Sequence, residues 1–473
     1  MSHAPNLAPR RRSAAARSRR PLRPIAASAV CALALALQLC APCLGFASQL
    51  DTDIVCGTTV ASGSFSSEDL PDITAPNAIV VGADGVTYFE RDADAQVQIA
   101  SITKIMTAIV ALEYASLDDT VTVDYEAATV GQSSAYLEEG DTLTMEAALR
   151  ALLIASGNDA GMAIATSVGA LIDPDSDDPY QVFIDAMNDK AAELGMTNTL
   201  FSNPHGLDFG DWEDDMYSSA RDVATMFSYA MQNSQFRALT ASEDNVITVT
   251  GASGTERTIT LNTHNEILGE DYNIGGKTGT TTLAGLCFVG AFVDEDGNEI
   301  YTVVLGCEED EDRWDDTLAL SGWYYDHLVE VPLANTTASL GGMPVLASVG
   351  LSSWTDKTVD VTLEDADATV TAFALAGDIT QTITLDELSG TVSEGDAVGS
   401  IRYEQNGLVL GQATLVAAET VQGPNAFEAI MVQLDRLVRS LTGRSTTAET
   451  VVYNEVPDAA SYLATGTDAE EAA

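Results

Sequence analysis

The residues best suited to chemistry in this sequence are a serine and a lysine three positions apart, Ser101 and Lys104. A serine hydroxyl is a weak nucleophile unless a base lies beside it. On a helix, residues i and i+3 share a face, so Lys104 can reach the Ser101 hydroxyl. Lysine is a base only when it is neutral, and burial or a second cation nearby lowers its pKa. The pair therefore predicts a nucleophilic serine with a lysine base.

A second motif, Ser156-Gly157-Asn158, directly follows an apolar run that ends at Ala155. A hydroxyl in this position can relay a proton towards a leaving amine, and we expect Ser156 to do so. We expect Asn158 to hold a substrate amide and to orient Lys104.

The third motif, Lys277-Thr278-Gly279, enters a predicted strand. Lys277 and Thr278 are suited to bind a free carboxylate of the substrate, and Lys277 is the second cation that would lower the pKa of Lys104. Gly279 has no side chain, so a substrate backbone can lie close to this strand. The backbone N–H groups of Ser101, at a helix N-terminus, and of Thr280 are the expected donors to an oxyanion.

Each motif alone has an ordinary structural explanation. Ser101 could be a helix N-cap, the second motif a turn, and Lys277 a solvated charge at a strand end. All three in this order, at spacings of 55 and 121 residues and in helix, loop and strand contexts, form a specific signal for acyl transfer through serine.

The elements that must position these residues alternate between helical and strand patterns over residues 74–335, the predicted catalytic domain. The patterns predict helices over Ile102–Tyr114, Met145–Ala155 and Tyr180–Leu194 and hairpins over 78–88 and 283–307. Short alternating runs over 340–420 predict a small all-β sandwich domain. Residues 424–442 predict an amphipathic helix, and the acidic, polar residues 445–473 predict a disordered tail.

The N-terminus has the pattern of a secretory signal peptide. Residues 1–23 contain seven Arg and no acidic residue, and they are followed by the apolar run Ile25–Leu39 and the small-residue site Gly45-Phe46-Ala47, so that the predicted leader covers residues 1–47. We therefore expect export to the cell envelope, with a polar linker over 48–73. The whole chain has 21 basic and 71 acidic residues, so the part after residue 47 carries a formal charge of −57, which argues against nucleic-acid binding.

Three cysteines, Cys56, Cys287 and Cys307, lie outside the predicted leader. They have no metal-ligand spacing, and neither a metal nor a cofactor is expected. A three-residue loop over 296–298 would place Cys287 directly opposite Cys307 in the second hairpin. Facing residues of antiparallel strands are close enough for a disulfide, so this register predicts a Cys287–Cys307 bridge.

The three motifs together resemble those of serine penicillin-binding proteins and β-lactamases. The surrounding residues narrow the resemblance to low-molecular-mass D-Ala-D-Ala carboxypeptidases. The segments that carry it include Gln98–Thr107, Asn203-Pro204-His205-Gly206-Leu207, Asn262-Thr263-His264-Asn265 and Gly276–Gly279 with Ala284-Gly285.

This resemblance implies an α/β (α+β) domain of the serine β-lactamase and transpeptidase type, with a five-stranded antiparallel sheet flanked by helices. It implies acylation of Ser101, release of D-alanine from peptidoglycan stem peptides, hydrolysis of the acyl-enzyme and covalent inhibition by β-lactams. Thr280 departs from family members that have His at this position, which leaves substrate preference and deacylation rate open. The resemblance also suggests weak contact of residues 424–442 with a membrane surface, and packing against the β domain or a partner is the alternative.

Several other functions stay open at this point. A β-lactamase of class A needs a deacylating glutamate, for which the region of Asn203–Leu207 offers no counterpart. A DD-endopeptidase shares all three motifs, and an idle cell-wall-binding or sensor protein could share the fold. A Ser-His-Asp hydrolase lacks its nucleophile motif here. Arg313, after the acidic run Glu308–Asp312, is equally suited to a surface salt bridge and to binding a substrate carboxylate.

Overall fold

An antiparallel sheet forms the centre of the catalytic region. This computed structural model describes residues 49–213, 215–242 and 245–463, which belong to one compact unit beginning at Gln49. The strand order in the sheet is β2-β1-β4-β3-β11-β10-β9, and all neighbours are antiparallel. Its strands are β1 (Ile54–Val55), β2 (Thr58–Thr59), β3 (Asn77–Gly82), β4 (Thr87–Arg91), β9 (Asn273–Thr281), β10 (Gly285–Val293) and β11 (Glu299–Cys307). The five long strands confirm the predicted five-stranded sheet.

The two short strands correct one prediction, because they lie in the segment 48–73 for which we expected a linker. Asp53 and Arg91 form a buried ion pair with 2.6 Å between Nη2 and Oδ2, and Val55 is fully buried beside it. Each of these buried charges is stabilised by the other, because either one alone would be an unpaired charge in the core. The segment is therefore folded against the edge of the sheet from residue 49 onward.

Helices cover both faces of this sheet. One face packs on a helical lobe, and α9 packs on the other face through Trp314, Trp323 and Tyr324. The helices are α1 (Gln49–Thr52), α2 (Lys104–Tyr114), α3 (Tyr125–Thr129), α4 (Met145–Leu153), α5 (Asn158–Ile172), α6 (Pro179–Glu193), α7 (Ala220–Met231), α8 (Ser234–Thr240) and α9 (Asp310–Asp326). A smaller sheet of β5 (Thr120–Thr122), β6 (Thr142–Thr144), β7 (Val246–Thr250) and β8 (Glu256–Thr260) borders the lobe.

Helix α2 is the element that carries the predicted nucleophile and base. Every residue from Lys104 to Ala111 is buried, because the helix is apolar on all sides and other helices and the sheet surround it. A 3₁₀ turn, Ala100–Thr103, precedes it, so the predicted helix over Ile102–Tyr114 begins as a tighter turn. The helices predicted over Met145–Ala155 and Tyr180–Leu194 are confirmed as α4 and α6.

The predicted Cys287–Cys307 disulfide is wrong, and both cysteines are free thiols. The connecting loop spans residues 294–298, so Val293 pairs with Glu299, and a bulge then places Leu286 opposite Cys307. Because side chains alternate along a strand, this register turns Cys287 towards the helical lobe and Cys307 towards α9.

The C-terminal β region is confirmed as a separate all-β layer with its own core. It has a six-stranded sheet in the order β18-β19-β20-β16-β15-β21 and a two-stranded sheet β12-β17 that share one apolar core. The strands are β12 (Leu328–Pro332), β15 (Ala347–Gly350), β16 (Thr358–Leu363), β17 (Thr369–Phe373), β18 (Ile379–Leu385), β19 (Ala397–Gln405), β20 (Leu408–Ala417) and β21 (Val451–Val452), with a β13–β14 hairpin of Ser339–Leu340 and Met343–Pro344 beside them.

The amphipathic helix is present as α10 (Ala426–Leu441), but the segment after it is not disordered as we expected. Strand β21 pairs with β15, and the side chain of the buried Asn454 donates to the Leu333 carbonyl at 3.0 Å and accepts from the Asn335 N–H at 2.7 Å. Residues 445–463 therefore fold back onto the β region. The predicted leader over 1–47 and the last ten residues of the predicted tail lie outside the described residues.

Candidate active site

Ser101 lies in the 3₁₀ turn that leads into α2, where two glycines pack on its backbone. Ala100, which precedes it, has a φ of +48°, a conformation that costs a non-glycine residue about 1–3 kcal/mol. A Cβ on Gly206 would overlap the Ala100 carbonyl, and a Cβ on Gly279 would overlap the Ile99 carbonyl oxygen. The loop at Gly206 and strand β9 at Gly279 therefore hold the serine from two sides.

Lys104 lies beneath Ser101 and is fully buried. Its Nζ lies 2.7 Å from Ser101 Oγ, 2.8 Å from Asn158 Oδ1 and 2.9 Å from the His205 carbonyl oxygen. The last two atoms can only accept hydrogen bonds. As an ammonium group, Lys104 donates to all three atoms; as a neutral amine, it donates to the last two and has its lone pair free to accept the Ser101 proton.

Burial and charge favour this neutral form of Lys104. Desolvation lowers the pKa of Lys104 well below the usual value for lysine, and the charge of Lys277 lowers it further. The Asp159 carboxylate acts in the opposite direction but is outweighed. A buried amine of low pKa beside a hydroxyl is an arrangement that activates a nucleophile.

Ser156 and Lys277 form the second polar pair of the site. Lys277 Nζ donates to Ser156 Oγ at 2.9 Å and to the Thr278 carbonyl oxygen at 2.8 Å. Burial and the nearby Arg313 guanidinium lower the pKa of Lys277 to about 7. Ser156 has a φ of +54°, so this residue too is held in a strained backbone conformation next to the cleft.

Asn158 connects Lys104 to one wall of the cleft. Its Nδ2 donates to the Gly131 carbonyl oxygen at 3.0 Å, which fixes Oδ1 as the acceptor facing Lys104. The next residue, Asp159, is buried and accepts from the N–H groups of Ala135 at 3.0 Å and Leu137 at 3.1 Å. Together they fix the segment that forms this wall.

The structure brings Arg313 to the same site. It is buried, forms an ion pair with Asp310 and donates from Nη1 to Thr280 Oγ1 at 3.3 Å. Its guanidinium carbon lies 4.4 Å from the ring centroid of Trp314, a cation–π distance. The salt bridge expected for Arg313 is therefore present, and the contact with Thr280 places the guanidinium beside strand β9. Its role in binding a substrate carboxylate stays a prediction.

These residues border an open cleft of about 380 Å³. The residues that line it come from five segments of the chain: Ser101, Gln132, Ser133, Asn158, Gly206, Leu207, Phe209, Thr280, Thr281 and Thr282. Three of the nine residues singled out from the sequence line this cleft: Ser101, Asn158 and Thr280. Lys277 and Thr278 are buried and line a second, smaller cavity with His264.

Three residues with clear positions in the site were not assigned there from the sequence. His205 contributes its carbonyl oxygen to Lys104, while its ring packs edge-on against Trp212 with 4.6 Å between the ring centroids. Asp208 accepts from Thr281 Oγ1 at 2.5 Å and so ties the His205 loop to the strand of the third motif. Asp159 directly follows Asn158, and this adjacency was its one sequence signal.

A buried lysine beside a half-buried serine, at the junction of a helical lobe and an antiparallel sheet, defines the class of serine DD-peptidases. Comparison with known proteins agrees: a family model described as D-alanyl-D-alanine carboxypeptidase matches residues 64–309. The chain belongs to the D-alanyl-D-alanine carboxypeptidase family. The predicted family, fold class and type of enzyme, a serine-type D-Ala-D-Ala carboxypeptidase, are thereby confirmed.

Similar individual proteins carry the same description. The chain is 25% identical over 357 residues to D-alanyl-D-alanine carboxypeptidase DacF of Bacillus subtilis, covering 74% of this chain and 86% of that protein. It is 31% identical over 253 residues to a Streptomyces D-alanyl-D-alanine carboxypeptidase, covering 50% and 84%. Among solved structures, a mutant of a Streptomyces DD-transpeptidase superposes with a TM-score of 0.50 at 30% identity, covering 54% of this chain and 98% of that one.

Proposed function

We propose that this protein removes the terminal D-alanine from peptidoglycan stem peptides through an acyl-enzyme on Ser101, with Lys104 as the base. The observation that carries the proposal is the contact of Lys104 with two atoms that only accept hydrogen bonds, which leaves its lone pair for the Ser101 hydroxyl. Such a serine is ready to attack a carbonyl carbon without any metal or cofactor in the mechanism.

In the acylation step, Lys104 takes the Ser101 proton as Oγ bonds to the carbonyl carbon of the penultimate D-alanine. The backbone N–H groups of Ser101 and Thr280 stabilise the oxyanion. The C–N bond then breaks, and the proton that Lys104 took from Ser101 passes through Ser156 to the leaving amine of the terminal D-alanine, which leaves Lys104 neutral again. Water subsequently attacks the acyl carbon with Lys104 as base, which releases the shortened peptide and restores the Ser101 hydroxyl.

The charges around the site support a substrate with a free C-terminal carboxylate. Lys277, Thr278, Thr280 and Arg313 supply two cations and two hydroxyls at one end of the cleft. A carboxylate bound there would be the terminal one of D-Ala-D-Ala, and it would also raise the pKa of Lys277 and keep it charged. Gly279 allows the peptide backbone to approach strand β9. The same groups are suited to the carboxylate of a β-lactam, so we propose covalent inhibition through Ser101.

Two related activities are the alternatives to this assignment. A DD-endopeptidase would use the same Ser101 and Lys104 on a cross-linked peptide, and the open cleft leaves room for it. A β-lactamase needs efficient deacylation, and the loop Asn203–Leu207 presents an amide, an imidazole and backbone groups there but no glutamate. We therefore place carboxypeptidase activity first.

We further propose that the protein acts in the cell envelope after cleavage of the leader near residue 47. No helix among the described residues is long and apolar enough to cross a bilayer. The weak membrane contact expected for 424–442 stays a prediction, and the charges on this helix weigh against strong attraction to anionic lipids: Arg436 and Arg439 already have acceptors within the protein.

The assignment is tested by incubating the chain from Gln49 onward with diacetyl-L-Lys-D-Ala-D-Ala and, separately, with a fluorescent penicillin. Release of D-alanine and a covalent label, both lost in Ser101→Ala, would support the proposal. A label with rapid penicillin turnover and no D-alanine release would favour a β-lactamase, and release from cross-linked dimers alone would favour an endopeptidase. Absence of label and of release would contradict the assignment.

A further inference from the structure

Helix α10 presents a continuous apolar face to solvent. Seven of its side chains are between 49% and 78% exposed, although they are large and apolar. They are Phe427, Ile430, Met431, Leu434, Leu437, Val438 and Leu441. An exposed apolar patch of this size on a soluble domain marks a surface that another molecule covers.

The opposite side of α10 is already fixed to the β region, so the helix cannot rotate to bury this face. Val432 is buried, and Arg436 donates to the carbonyl oxygens of Ser352 and Trp354. The ends of the helix are held as well. Asn425 caps its N-terminus, and strand β21 follows its C-terminus and pairs with β15.

The spacing of the seven apolar residues is symmetric about Leu434. In an antiparallel pair of α10 helices centred there, Phe427 meets Leu441, Ile430 meets Val438, and Leu434 meets itself. Apolar residues at intervals of three, four and seven are typical of helices that pack side by side. A two-fold interface requires that each residue find its partner in the other copy, and this pattern satisfies the requirement at all seven positions.

The charges on the helix fit the same arrangement. Antiparallel pairing opposes the two helix dipoles, which is the favourable arrangement for neighbouring helices. A membrane surface is a poorer match, because α10 contains no lysine and its two arginines are bound within the protein. The formal charge of −57 beyond residue 47 also repels anionic lipid.

The composition of the face suits a stable dimer. All seven side chains are large and apolar and are between 49% and 78% exposed, so they can form the apolar centre of an interface between two copies. We propose that α10 is a dimerisation helix, through which two copies of this chain pair antiparallel about a two-fold axis at Leu434. Pairing would place two catalytic domains on one polymeric substrate and so increase their avidity for it.

The proposal is tested by sedimentation velocity on the chain from Gln49 onward over a range of concentrations, at about 0.15 M and 0.5 M NaCl, because salt screens the repulsion between the acidic copies. Wild type and Leu434→Met are expected to form dimers, more strongly at high salt. Leu434→Glu and Leu434→Lys each place two like charges at the axis, so each alone should weaken dimerisation at least about tenfold. An equimolar mixture of the two should restore a dimer, while D-alanine release by every variant stays at the wild-type level.

A wild type that is monomeric at all concentrations and salts would overturn the proposal. So would a Leu434→Glu variant that dimerises like wild type, or a mixture of the two charged variants that stays monomeric. Flotation with vesicles of phosphatidylcholine, alone or with phosphatidylglycerol, tests whether a membrane surface covers the apolar face instead. If a monomeric wild type floats with the vesicles and Leu434→Glu does not, membrane docking would replace the dimer as the function of α10.

Discussion

Lys104 Nζ lies 2.7 Å from Ser101 Oγ, and both of the lysine's other hydrogen-bond partners can only accept. Burial and the charge of Lys277 lower the pKa of Lys104, and the neutral amine has one free lone pair, which faces the serine and can accept its proton. The fold produces the arrangement by burying Lys104 at the start of an apolar helix and placing Lys277 on the adjacent strand. The predictions below follow from this geometry and from the elements that hold it.

Removing the charge of Lys277 should move the pH dependence of catalysis. Lys104 acts only when neutral, so the rate falls as the pH drops through its pKa, which the charge of Lys277 lowers. In Lys277→Gln the pKa of Lys104 rises, and the acidic limb of the penicillin acylation rate should shift to higher pH by about one unit. Arg237→Gln, which removes a cation paired with Glu299 away from the cleft, should leave the limb in place. An unchanged limb in Lys277→Gln would contradict this account of the base.

Replacing Gly206 should damage both the site and the fold. Gly206 has a φ of +89°, and an added Cβ would overlap the Ala100 carbonyl next to Ser101. In Gly206→Ala we expect the free energy of unfolding to fall by about 2–5 kcal/mol and penicillin acylation to slow at least about tenfold. Gly195→Ala is the matched control: its φ is +75° but the space around it is open, so it should lose about 1–2 kcal/mol and keep its acylation rate. Denaturant titration and labelling kinetics measure both effects, and equal outcomes for the two variants would argue against a positioning role for the Gly206 loop.

Arg313→Gln distinguishes a substrate contact from a local salt bridge. If Arg313 binds the terminal carboxylate, KM for the D-Ala-D-Ala peptide should rise by about 10–100-fold, with a smaller change in kcat. Asp310→Asn removes the ion pair but keeps the guanidinium, so it should leave KM similar or lower. Steady-state kinetics on both variants measure this, and wild-type turnover in Arg313→Gln would leave Arg313 as a structural residue only.

Asn454 should matter for the β region and not for catalysis. Its buried amide joins Leu333, Asn335 and Tyr403, so Asn454→Ala leaves several buried polar groups without partners. We expect a loss of about 2–3 kcal/mol in unfolding free energy, with unchanged D-alanine release at temperatures below the transition. The exposed Gln412→Ala is the control and should be neutral. A stable Asn454→Ala variant would mean that the segment after α10 adds little to the fold.

The sequence was sufficient for the catalytic helix because this element depends on short-range spacing. Ser101 and Lys104 are three residues apart on a helix, and the apolar residues after them predict its burial. Ser156 and Lys277 were expected in one site although they lie 121 residues apart, and the structure places Ser156 Oγ 2.9 Å from Lys277 Nζ, a contact that the sequence did not predict. Asp159 was missed because nothing in the sequence distinguishes a buried carboxylate that binds backbone N–H groups from a solvated one.

Register and long-range packing were beyond reach from sequence. The expected Cys287–Cys307 bridge depended on the length of one loop and on the absence of a bulge, and both differ in the structure. Residues 48–73 and 445–463 look like linker and tail because they are polar and small. They fold because single buried groups, Asp53 on Arg91 and Asn454 in the β region, find partners far away in the chain.

The central claim, that Ser101 carries the acyl group, is tested most directly by locating the adduct. The chain from Gln49 onward is reacted with benzylpenicillin, digested and analysed by mass spectrometry, with Ser101→Ala treated in parallel. We predict one penicilloyl group, on Ser101, in the wild type and none in the variant. An adduct on Ser156 or any other residue, or an adduct that persists in Ser101→Ala, would contradict the proposed mechanism.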